Sequence, residues 1–217
     1  VLVIFGVYAA FSLFQSNTGK GKVISAVVLA GVAGVLYLMY QNTPAETAVS
    51  APIFQQFNPF FVVALTPVSL AFFGMLAKRN AEPSAPKKIG LGMLIAAIGF
   101  LVIAAGSNGL LTPNAQAAGI AAGEDVTRVS ANWLVSTYLV LTFAELFLSP
   151  MGISFVSKVA PPKMKGMMMG GWFVATAIGN MLTVVPAMIW GDQNLIIVWG
   201  LLIGLCLVSA VFIFAIL

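Results

Sequence analysis

Residues 143–152 read FAELFLSPMG, and Glu145 is the one charge among them. Residues 129–157 carry no other; the nearest charges are Arg128 upstream and Lys158 downstream. A run of this length exceeds the roughly 20 apolar residues that let a helix cross about 30 Å of hydrocarbon. It therefore predicts a membrane helix with one acid inside it. A carboxylate at the centre of such a helix costs about 2.5–3.5 kcal/mol on insertion scales. A compensating use would be a protonation site, an ion pair, or contact with a cationic group of a substrate. The plainer alternative is an interhelical hydrogen bond from a permanently protonated Glu145.

The rest of the chain has the same character. Of its 217 residues, 60% are hydrophobic and 7% charged, against about 25% charged in soluble domains. The apolar runs are continuous rather than alternating over about ten residues, which favours helices over a barrel. The class is an all-α integral membrane protein, with the lipid bilayer as its first partner. The net charge of +4 reads as loop topology. No basic patch is interleaved with exposed aromatics, so nucleic acid is not an expected partner. Cys206 is the only cysteine and there is no histidine, which excludes a zinc cluster or a histidine-based catalytic site. No paired acids or nucleophile–base pair is present, and an enzyme is not expected.

Apolar runs fall at about 23–40, 60–77, 89–106, 131–157, 167–190 and 195–217. A shorter run at 1–14 opens the chain without a methionine or signal-peptide features, so the sequence is expected to be a piece of a longer protein. Segments 77–88 and 157–166 are basic, whereas 107–130 and 191–194 are not. The positive-inside rule then places the two basic loops in the cytoplasm and the other two outside.

Polar residues inside the runs share helix faces. Tyr138, Thr142, Glu145 and Ser149 are spaced 4, 3 and 4, which keeps them on one face, and Pro150 bends the helix beside them. Trp172, Thr176, Asn180 and Thr183 form a second stripe, in which Trp172 serves either as an interfacial anchor or as a cavity wall. Gln55, Asn58, Thr66 and Ser69 form a third, readable equally as helix glue. Three stripes facing one another would line a polar cavity at membrane depth, the way secondary transporters build their sites.

The stretch AELFLSPMGISFVSKVAPPKMKGMMMGGWFVATAIGN, residues 144–180, resembles the signature of the proton-coupled oligopeptide transporter family. The matching elements are E-x-x-x-S-P on a helix, a K-x-A-P turn, M-G-x-W-F and a later G-N. FQQFNP at 54–59 is similar to the start of that family's eighth helix. The resemblance implies a major-facilitator-type bundle whose carboxy-terminal half, about helices 8–12, occupies 54–217. Residues 1–41 would be an inter-half helical hairpin with a shortened first helix, and 42–53 a polar loop. Helix seven has no counterpart, and residues are expected to be missing near 41–50. The family's first-helix E-x-x-E-R motif and the basic residues of its amino-terminal half are also absent.

The implied function is import of di- and tripeptides by proton symport through alternating access, in the cell membrane. No cofactor is implied beyond a coupling H+, and the missing amino-terminal half is the implied partner. Glu145 would receive the peptide's amino terminus, Asn58 would contact the peptide, Trp172 would line a side-chain pocket, and Ser149 would neighbour the acid. Gln55, Tyr138, Thr142, Thr176 and Asn180 are further candidate lining residues. The competing readings are the same fold carrying another small solute, such as nitrate, or a fragment without transport activity.

Overall fold

The computed structural model describes residues 2–16, 18–42 and 51–217, and no strand occurs among them. The helices are α1 (Leu2–Gln15), α2 (Gly19–Gln41), α3 (Ala51–Gln55), α4 (Phe57–Lys78), α5 (Ala85–Gly106), α6 (Pro113–Ala121), α7 (Asn132–Val159), α8 (Lys165–Leu182), α9 (Val184–Ile189) and α10 (Leu195–Ile216). Six stretches among the described residues are long and apolar enough to cross a membrane: Gly19–Gln41, Pro52–Lys78, Ala85–Gly106, Asn132–Val159, Pro162–Ile189 and Leu195–Ile216.

Local expectations are revised at several points. Helix α3 starts at Ala51, so residues 51–53 of the expected polar loop are helical. The suspected gap near 41–50 falls mostly on 43–50, which lie outside the described residues. The outer segment 107–130 contains a helix, α6. There Thr112 caps the first turn, accepting from the Ala115 amide at 3.4 Å, and Pro113 supplies a pre-set φ at the first helical position. Helix α6 ends in a Schellman turn, with Gly123 at φ +76° and the Glu124 amide donating to the Gly119 carbonyl at 2.9 Å. The run at 167–190 breaks at Thr183, because the Pro186 ring conflicts with the carbonyl of Leu182.

The chain divides into two compact units, the first ending at Arg79 and the second running from Asn80 to Leu217. In the first, α1 and α2 pack as an antiparallel hairpin. A Cβ on Gly6 would lie 3.2 Å from Val32 Cγ1, and Ser25 Oγ donates to Ser12 Oγ at 3.0 Å. A groove of about 460 Å³ lies between α1 and α4, lined by Tyr8, Ser12, Gln15, Ser16, Thr66 and Pro67 among others. It holds hydroxyls and an amide but no charge.

In the second unit α5 is the central helix, packed on α7 on one side and α10 on the other. Glycines at a seven-residue spacing make the α5–α7 seam. Gly92 faces Phe147 and the Ala144 carbonyl, Gly99 faces Leu141, and Gly106 faces Trp133. As the α5 numbers rise the α7 numbers fall, so the two helices run antiparallel. Between lipid-embedded helices there is little hydrophobic drive, so close backbone approach at small residues supplies the attraction. Helix α10 pairs with α5 in the same manner, with Phe214 against Gly90 near one end and Trp199 Nε1 donating to Ser107 Oγ at 3.0 Å near the other.

The loops expected outside meet each other. The Asn114 amide donates to the Gly191 carbonyl at 3.1 Å, and Asn114 Nδ2 to Asp192 Oδ1 at 2.7 Å. Gly191 adopts φ +106°, a conformation closed to most side chains, and that brings its carbonyl to α6. Segments 107–130 and 191–194 therefore share one end of the unit, as their shared lack of basic excess required. At the opposite end Lys88 is buried near the start of α5, where the helix dipole disfavours a cation. Its ammonium is paired with Glu82 from the preceding loop.

Candidate functional site

The site is built around α7, a helix of 28 residues. At 1.5 Å per residue it is about 42 Å long, more than the hydrocarbon thickness. Glu145 stands at its middle, so the acid lies as far from either end as the helix allows. Pro150 sits inside the helix and leaves the carbonyl of Leu146 without its usual amide partner.

The expected stripe on α7 divides on closer view. Thr142 is fully buried at 1% exposure, Tyr138 is half-buried, and Glu145 and Ser149 are exposed within this chain. A 4–3–4 spacing fixes a common face only to within about 60°, and packing closes one margin of it over Thr142. The exposed pair points away from the glycine seam. Ala144, Leu146 and Phe147, which flank Glu145 in sequence, are all buried.

Helix α8 carries the second stripe. None of its residues is buried, and all but Met169 and Trp172 are exposed. Trp172 is partly covered because the benzo edge of its indole meets Gly152 of α7. A Cβ built on Gly152 would overlap Cη2 and Cζ2 and lie 3.3 Å from Cζ3. Residues 145, 149 and 152 are spaced 4 and 3, so Trp172 covers the same face of α7 that presents Glu145 and Ser149. Seven residues separate Glu145 from Gly152, about 10.5 Å along the axis. The structure thus brings Glu145, Ser149 and Trp172 to one face. Gly152 completes the arrangement and was not anticipated, although its register with Glu145 and Ser149 is legible in the sequence.

Thr176 and Asn180 follow Trp172 on α8, and both are exposed. Thr176 Oγ1 donates to the Trp172 carbonyl at 3.0 Å and Thr183 Oγ1 to the Asn180 carbonyl at 2.6 Å. These hydroxyl protons are committed to their own helix, leaving oxygen lone pairs and the Asn180 amide for other contacts. Gln55 and Asn58 belong to the first unit, at the α3–α4 junction, Gln55 exposed and Asn58 half-buried. Phe54, Phe57, Phe60 and Phe61 surround that junction, with ring centroids 5.2–6.1 Å apart.

Chemically the α7–α8 face offers one carboxylate at mid-membrane depth, a hydroxyl one turn away and an indole beyond it. A cation held by a carboxylate away from bulk water makes a charge-assisted bond of about twice the ordinary strength. No group of three or more metal-ligating side chains occurs among the described residues.

Comparison with known proteins agrees with this architecture. Residues 37–195 match the model of the POT family. The chain is 36% identical over 128 residues to peptide transporter YePEPT of Yersinia enterocolitica, covering 59% of this chain and 23% of that protein. It is 29% identical over 203 residues to dipeptide and tripeptide permease B of Salmonella typhimurium, covering 84% and 37%. A crystal structure of a peptide transporter POT in complex with sulfate superposes with a TM-score of 0.66 at 26% identity, covering 98% of this chain and 38% of that one. A mutant of peptide transporter POT bound to alafosfalin gives 0.63 at 25%, covering 99% and 38%. The chain thus spans well under half the length of these relatives. With its six membrane-crossing stretches it is a multi-pass membrane protein, and it belongs to the POT family.

Proposed function

We propose that this chain supplies the carboxy-terminal half of a proton-driven importer of di- and tripeptides, working by alternating access about a site at mid-membrane depth. The observation that carries the reading is the α7 face itself. It sets an exposed acid at the centre of a membrane helix, with Ser149 beside it and an indole about 10.5 Å along the same face. An extended peptide advances about 3.3–3.6 Å per residue, so that interval corresponds to about three residues. Glu145 receives the peptide's ammonium, and Trp172 meets a side chain farther along. Every peptide has an amino terminus, so an acid that addresses it accepts many sequences. The relatives named as peptide transporters and di- and tripeptide permeases support the same cargo.

The inward proton gradient drives uptake, with H+ as the coupling ion and no cofactor. The protein moves its substrate and performs no bond-making chemistry. The remaining length of the transporter supplies the groups that meet the peptide carboxylate.

The test uses the full-length transporter containing this segment, reconstituted into vesicles under an inward proton gradient. Labelled dialanine accumulates, unlabelled dialanine competes, and N-acetyl-dialanine and nitrate do not. Equal competition by the acetylated peptide removes the amine from the reading, and competition by nitrate replaces the cargo.

A further inference from the structure

We propose that Gly152 is a specificity-determining position. By carrying no side chain it seats the Trp172 indole against α7, and so sets how much room the open face leaves for a substrate side chain. The inference rests on the peptide reading above and adds to it the residue that controls the pocket wall.

Gly152 lies within the long helix α7, where glycine is disfavoured relative to alanine. Its backbone does not require glycine, since it is absent from the positive-φ positions, which are Asn80, Gly109, Gly123 and Gly191 among the described residues. It is buried, and what closes over it is an aromatic side chain rather than the backbone of a neighbouring helix. Its near neighbour in space is the benzo edge of Trp172, within the volume a Cβ would occupy. Gly99 and Gly106 also admit side chains, those of Leu141 and Trp133, but within the sealed α5–α7 seam; Gly152 admits the ring of α8 on the face that presents Glu145 and Ser149.

The consequence is directional. A Cβ at 152 forces the ring off α7, and the open face shared with Glu145 and Ser149 is where it has space to go. The volume lost lies about 10.5 Å from the acid, where a peptide side chain would sit, and not at the ammonium. A bulky substrate therefore suffers and a small one does not.

The experiment compares uptake of dialanine and alanyl-phenylalanine by the full-length transporter, as wild type, Gly152→Ala, Trp172→Ala and the double variant. Gly152→Ala is expected to raise KM for alanyl-phenylalanine by roughly tenfold more than for dialanine, the size of effect that a few atoms of pocket volume produce, with kcat little changed. In the Trp172→Ala background the same substitution changes that ratio by less than about twofold, because the group it displaces is gone. Fluorescence of Trp172, read as the difference between each protein and its Trp172→Phe counterpart, shifts to the red in Gly152→Ala.

An equal effect on both peptides, or an effect of Gly152→Ala that persists without the indole, overturns the proposal. A spectral shift without a change of selectivity also overturns it, and places the failure in the peptide contact rather than in the packing. No shift and no change of selectivity places the failure in the packing. Should Gly152→Ala not fold, recovery of folding in the double variant shows the ring to be the obstacle. Trp172→Phe, which shrinks the ring without touching α7, then reads the selectivity: a change in the alanyl-phenylalanine to dialanine ratio supports the proposal, and an unchanged ratio overturns it.

Discussion

Helix α7 has two faces with opposite characters. Towards α5 it is sealed: Trp133, Leu141, Ala144 and Phe147 fill the spaces over Gly106, Gly99 and Gly92. Towards α8 it is open at Glu145 and Ser149, which are exposed, and farther along Trp172 meets Gly152. Both faces use glycine, but to different ends. On the seam glycine admits the side chains of α7 and, at Gly92, the Ala144 carbonyl, and Thr137 Oγ1 there donates to the Trp133 carbonyl of its own helix at 2.8 Å. On the open face a charge remains without a wall of apolar side chains over it. The contrast separates what holds the unit together from what is left for a substrate.

The contrast can be broken from the seam side first. Gly99→Leu forces a side chain into Leu141, and overpacking of this kind costs about 1–3 kcal/mol. A fall in the thermal midpoint in detergent is expected, with uptake per folded molecule retained; an unchanged midpoint would mean the seam is looser than described. A smaller effect is expected at the outer end, where Asn114 bridges α6 to the 191–194 loop. Removing that side chain by Asn114→Ala deletes one exposed hydrogen bond to Asp192, worth about 0.5–1.5 kcal/mol. Faster hydrogen exchange confined to residues 107–130 and 191–194 is the expected sign. Exchange that spreads into α7 would show the two ends to be coupled.

The seam and the open face were unequally visible in the sequence. The lone acid, its place in a long apolar run and its register with Ser149 were legible, because charge and helical period are properties of sequence. Loop sidedness was legible as well, and the Asn114 contacts with Gly191 and Asp192 agree with it. The burial of Thr142 beside the exposure of Glu145 was not, since periodicity assigns a face but not the edge at which a neighbour covers it. Helix α6 was passed over because its alanines and glycines, too few to cross a membrane, resemble a loop in composition, although Thr112–Pro113 marks its start. The glycine heptad of α5 lay in plain view at 92, 99 and 106. Its meaning depended on which helix faced it, and that is long-range information. The contact of Trp172 with Gly152 joins two helices across a turn and could not be read from either alone.

The account turns on Glu145 acting as a receptor for a cation and not as a structural hydrogen-bond donor. The direct measurement is gradient-driven uptake of labelled dialanine by the full-length transporter carrying Glu145→Gln, with the thermal midpoint recorded on the same preparation. A neutral amide loses the charge-assisted bond to the ammonium, so uptake should fall roughly tenfold to a hundredfold. The midpoint should hold or rise, since a costly group has left the membrane interior. Full uptake with a lowered midpoint would contradict the account and return Glu145 to helix packing.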